Sequence, residues 1–142
     1  MKAFFYILIS LLLAACGASN SPIIITNSCA IDVPAEKAIH STAQELHVGG
    51  WAFDRRLNTS PEKVNIQITS IDHKVIKIYA AMRGTKRPDV VKALNATGAE
   101  LSGFNVLVPP NELVSGDYEI VVLQDLPNGT LVCSNMRELK VK

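Results

Sequence analysis

The dominant pattern along the chain is an alternation of apolar and polar residues with a period of two. In KVNIQITSID, Val64, Ile66 and Ile68 alternate with Asn65, Gln67 and Thr69, which predicts a strand with one buried face. KVIKIYAAM follows after Asp72 and His73, a short polar turn, so the two segments predict a hairpin. FNVLVP repeats the alternation with Phe104, Val106 and Val108, and DYEIVVLQ repeats it with Tyr118, Ile120 and Val122. Upstream, ELHVGGWAF reads as a strand interrupted by Gly49 and Gly50, as at a bulge or a close approach of two backbones. TLVCS and ELKVK supply the last short strands. The period changes once, in RPDVVKALN (Arg87 to Asn95), where a short helix is expected with Asp89 as its cap.

About seven short strands separated by turn residues predict an all-β fold, an immunoglobulin-like antiparallel β-sandwich with one short helix across one end. Trp51 is the sole tryptophan. It fits a core position or, alternatively, an exposed platform on which a sugar ring stacks. Tyr118, two residues after Gly116, resembles a tyrosine corner, whose hydroxyl bonds back to the backbone of its own loop.

The first residues follow a different rule. Lys2 precedes a run from Phe4 to Leu13 that is apolar except for Ser10, followed by Ala14, Ala15 and Cys16. Such a run is short of the roughly 20 apolar residues a bilayer span needs, and it reads as a secretion signal. LAAC, Leu13 to Cys16, resembles the lipobox of bacterial lipoproteins position by position. The resemblance implies cleavage before Cys16, a diacylglyceryl thioether on its sulfur and an acylated amine. Two or three acyl chains hold a protein on a membrane essentially permanently, at about 0.8 kcal/mol per buried CH₂. With Gly17 rather than Asp after the cysteine, the family's sorting rule points to the outer membrane, on its periplasmic or surface side. The expected organisation is a signal peptide at 1–15, a lipidated tether at 16–28 and one domain at 29–142. Within the tether, Ile23 to Ile25 fit either a first edge strand or a patch near the membrane surface.

Charge narrows the partners. The chain has 14 Lys and Arg against 13 Asp and Glu, and the signal removes one cation, Lys2, leaving a neutral mature protein. Nucleic-acid binding rests on neutralising several phosphates, so no nucleic-acid partner is expected. Cys29 and Cys133 are an even pair in an exported domain and are expected to form a disulfide that staples the terminal strands. His40, His47 and His73 have no ligand spacing, so neither a metal site nor a cofactor is expected. Asp54 with Arg55, and Arg87 with Asp89, are candidate ion pairs. Arg83, Lys86 and Arg87 form the one local concentration of positive charge and, with Trp51, are the candidate binding residues.

GWAFD (Gly50 to Asp54), RPDV (Arg87 to Val90), GF (Gly103, Phe104) and LVSGDY (Leu113 to Tyr118) together resemble landmarks of small bacterial immunoglobulin-like modules. Modules of that kind are often attached to envelope and glycan-associated proteins and act as spacers or binding surfaces, which implies no catalysis. The chain has no G-x-S-x-G, no HExxH and no glycine-rich loop followed by lysine. The expected function is that of a non-enzymatic outer-membrane lipoprotein, anchored by Cys16, that docks an envelope protein or supports an envelope assembly. The alternative is a lipoprotein that binds a glycan or peptidoglycan, or inhibits a hydrolase.

Overall fold

The computed structural model describes residues 21–142. The expected signal at 1–15, the expected lipidation site Cys16 and the first part of the expected tether lie outside the described residues. The strands are β1 (Ile23–Thr26), β2 (Cys29–Val33), β3 (Ala38–His40), β4 (Leu46–Ala52), β5 (Lys63–Ser70), β6 (Ile76–Ala80), β7 (Met82–Thr85), β8 (Gly103–Val108), β9 (Gly116–Leu126), β10 (Gly129–Cys133) and β11 (Arg137–Val141). A helix α1 (Pro88–Leu94) and one 3₁₀ turn (Thr97–Ala99) lie between β7 and β8.

Two sheets face each other in an immunoglobulin-like sandwich. The larger has seven strands built around β9, whose one side pairs with β5 along the length of β5. Its other side is divided between β11, opposite Gly116 to Ile120, and β10, opposite Leu123 to Leu126. β6, β1 and β3 close the sheet on β5, β10 and β11. The smaller sheet runs β2-β4-β8-β7.

Period-two alternation decides which residues enter the core. Val64, Ile66, Ile68, Ile120 and Val122 project from one sheet and meet Leu46, Val48, Phe104, Val106 and Val108 from the other. Tyr118 joins this core, 1% exposed, and its hydroxyl donates to the Val114 carbonyl at 2.9 Å, the bond expected of a tyrosine corner.

Three elements differ from the sequence reading. The segment KVIKIYAAM is not one strand: it leaves the larger sheet after Ala80, and Met82 already begins a strand of the smaller one, so β6 and β7 belong to opposite layers. The helix is capped by Arg87 without a side-chain bond; Pro88 takes the first turn, and Asp89, already inside the helix, is no cap. Its negative charge still suits the helix N-terminus. The Cys29–Cys133 bridge joins β2 of the smaller sheet to β10 of the larger, so it ties the two layers together as well as the ends of the domain.

The glycine pair behaves as its sequence position suggests. β2 carries a register shift between Ile31 and Val33 opposite Gly49 and Gly50. A Cβ on Gly50 would lie 2.0 Å from the Ala30 carbonyl oxygen, so only glycine lets the two strands approach there.

A second, smaller cluster closes one end of the sandwich. Phe53, Val90 and Ala99 are buried together, with Trp51, Val91, Leu94 and Ala96 packed against them. The chain enters at this same end, where the Thr130 amide donates to the Pro22 carbonyl at 3.0 Å.

Candidate functional site

The outer face of the four-stranded sheet carries a concentration of polar side chains held by one another. On β4, Leu46, Val48 and Ala52 point inward, which turns His47, Gly49 and Trp51 outward. The register places Trp51 opposite Gly103, Gly49 opposite Asn105 and His47 opposite Leu107. β7 adds Thr85 and β2 adds Asp32, so four strands contribute to one face.

Two hydrogen-bonded groups organise this face. Arg87 donates to Asp89 through Nε at 2.9 Å and Nη2 at 2.6 Å, and to Asp32 through Nη1 at 2.7 Å. Its stem passes over Gly103, where an added Cβ would lie 3.2 Å from Arg87 Cγ and 2.7 Å from Thr85. The second group is a row: Asn105 Nδ2 donates to Thr85 Oγ1 at 3.1 Å, and Asn105 Oδ1 lies 2.9 Å from His47 Nε2. Gly49 sits beneath that row, where a Cβ would meet Asn105 Oδ1 at 3.0 Å and His47 Nε2 at 3.3 Å. The glycines keep the surface shallow between Trp51 and His47, giving a platform rather than a cleft.

The electrostatics follow from the pairing. The hydrogen bonds from Arg87 lower the Asp89 carboxyl to about 2, and those to Asp89 first and Asp32 second raise the guanidinium further despite its partial burial. Asp89 and the Arg87 cation are therefore charged across the physiological range, and their geometry is fixed by a bidentate fork.

No protein-family model and no curated protein matches this chain.

Among the expected site residues, the structure brings Trp51 and Arg87 together on the platform. Trp51 is partly buried there, on the outer face beside α1, and not in the core between the sheets. Arg83 lies opposite the buried Phe104 and is itself half-buried; that burial lowers its pKa, and Glu62 opposes the shift. Lys86 is exposed and 3.8 Å from Glu100. The three cations thus stand beside separate carboxylates instead of pooling their charge. Among the described residues, no group of three or more His, Cys, Asp or Glu is placed to hold a metal ion.

Asp54 pairs with Arg56 and not with Arg55. Its carboxylate is 1% exposed and accepts from the Arg56 backbone amide at 2.9 Å, from Nε at 3.1 Å and from Nη2 at 3.2 Å. Burial raises the carboxyl pKa, but the Arg56 bonds outweigh it, and the group ends below the usual range. This arrangement orders the turn 54–59, which Asp54 and Thr59 close by a pair of backbone bonds.

The sequence gives no signal for Asp32, Thr85 and Asn105, and His47 enters it only as one of three histidines without ligand spacing. Each is a polar residue at an outward strand position, which is ordinary for a half-solvated sheet. Only the register, which aligns them across four strands, makes them a group.

Proposed function

We propose that this chain is a non-enzymatic lipoprotein of the outer membrane, anchored through Cys16, that docks an envelope protein through the outer face of its four-stranded sheet. The observation that carries this reading is the ordered polar platform of Asp32, Arg87, Asp89, Thr85, Asn105 and His47 beside Trp51. Small-molecule sites are concave and mostly apolar, whereas a shallow face with fixed donors and acceptors and an aromatic and an arginine at one end suits a protein surface. Because Arg87 is already held by two carboxylates, little side-chain freedom is lost when a partner covers it. The LAAC motif and the neutral mature charge support the envelope location.

The test is site-specific photo-crosslinking in the lipidated protein. A benzophenone amino acid replacing Leu107, which is 50% exposed on this face, should give one dominant protein adduct. Arg87→Ala should remove that adduct while leaving the melting temperature within a few degrees. No adduct at this position, or an equal adduct from a probe replacing Asn65 on the opposite sheet, would contradict the docking face. Trp51 favours a second reading, in which the face holds a glycan; quenching of its fluorescence by soluble peptidoglycan fragments, with no protein adduct, would select it.

A further inference from the structure

The opposite outer face, that of the seven-stranded sheet, has a different character. β9 turns Ile120, Val122 and Gln124 inward, leaving Val121 and Leu123 outward. The register extends this face across the sheet: Leu123 lies opposite Val132, Val132 opposite Ile25, and Val121 opposite Gln67, which lies opposite Ile78. Ile23, Ile25, Ile76 and Ile78 are 71%, 66%, 57% and 59% exposed. An apolar stripe therefore runs from β1 to β6, roughly 19 Å at the usual strand spacing, with apolar side chains on β1, β10, β9 and β6 and the polar Asn65, Gln67 and Thr69 of β5 between them. Exposed apolar area of that extent marks a contact surface.

The polar residues within the stripe are satisfied by each other. Asn65 Nδ2 donates to Asp125 Oδ2 at 2.8 Å, and Gln67 Nε2 donates to Thr69 Oγ1 at 3.1 Å. Pairing of this kind lowers the cost of covering them. Glu119 and Glu138 face each other toward the end of the sheet away from β1, and Lys140 is paired with Asp117 there. Lys63 stands opposite Asp125 at the near end.

The geometry points to a lipid surface as the occupant: we infer that the seven-stranded sheet lies against the membrane, with Ile23, Ile25, Ile76 and Ile78 at the headgroup boundary. This rests on the reading of Cys16 as the lipidated residue. Ile23 is seven positions after Cys16, so the start of the edge strand β1 lies within about 25 Å of the acylated sulfur. A domain of this size is on the order of 30–35 Å across, so the tether cannot reach if β1 lies at the edge farthest from the membrane. The face that β1 borders carries the apolar stripe, and Asp117, Glu119 and Glu138 are gathered at the end of that face away from β1. The platform of Asp32, Arg87 and Asn105 is on the opposite side and faces away from the membrane.

Fluorescence quenching tests this directly. The full lipidated protein is reconstituted in phosphatidylcholine vesicles containing acyl-brominated phosphatidylcholine, as wild type and as Ile78→Trp in a Trp51→Phe background. Ile78 is on β6, at the far side of the sheet from the tether, so simple tethering does not bring it to lipid. The indole of I78W should be quenched severalfold more than wild-type Trp51. Intact mass reports acylation independently: an unacylated protein overturns the anchor reading, whereas an acylated protein whose I78W indole is unquenched overturns the membrane-facing sheet alone. Sedimentation of the soluble Cys16→Ser form covers the remaining occupant; a dimer dissolved by Ile78→Asp would assign the stripe to a second copy and overturn the proposal.

Discussion

At the residue scale, a few side chains carry effects that single substitutions read out. Tyr118 has its hydroxyl on the Val114 carbonyl inside the core, so Tyr118→Phe should cost about 1–2 kcal/mol, measured by chemical denaturation. Gln124 is 0% exposed, and neither atom of its amide meets a protein partner. Gln124→Met replaces an uncompensated polar group with an apolar one of similar volume and should raise stability by about 1 kcal/mol. Asp54 gives a pH dependence with a definite sign. Its folded pKa is below its unfolded value, so the stabilisation is fully present above the unfolded carboxyl range near 4 and is lost as pH falls through the folded pKa. Thermal melts between pH 7 and 3 should show this decline, with a shallower slope in Asp54→Asn.

At the element scale, the disulfide and the glycine pair hold the layers in register. Cys29 and Cys133 are 104 residues apart, and closing a loop of about 100 residues stabilises by up to about 4.7 kcal/mol in the chain-entropy model. Cys29→Ser should lower the melting temperature by roughly 10–20 °C and leave one titratable thiol at Cys133. Gly50→Ala forces a Cβ onto the Ala30 carbonyl and should cost about 2–3 kcal/mol, with a loss of β2 pairing visible in hydrogen exchange. Most elements were legible because period-two burial is written directly into segments such as 64–69 and 118–123. The split of Ile76 to Thr85 between two sheets was not, since alternation continues through Ala81 and the change of layer is a property of which partners lie alongside. β3, with three residues and pairing only to β11, has too few positions to show a period. Residue type alone makes Asp89 a cap candidate, whereas Pro88 in the first turn moves the cap to Arg87. The platform is the extreme case: Trp51 and Arg87 were picked out singly, but Asp32 and Asn105 gain meaning only from strand pairing 20 to 60 residues away in sequence.

At the scale of the whole molecule, the two outer faces of one sandwich differ in character, and the roles proposed for them differ accordingly. The seven-stranded sheet offers an apolar stripe beside the tether, and the four-stranded sheet offers an ordered polar platform on the other side. An anchored module with this polarity presents the same face to every partner that approaches the membrane, which favours encounter without any long-range charge. Both proposed roles depend on the anchor, so the most direct measurement is fractionation of cell envelopes for wild type and Cys16→Ser, with intact mass of the purified chains. The wild-type chain should begin at Cys16, carry diacylglyceryl and acyl groups and be released from membranes only by detergent. The Cys16→Ser chain should be soluble and melt at the wild-type temperature. A wild-type chain without lipid, or a Cys16→Ser chain that remains in membranes without detergent, would contradict the anchor.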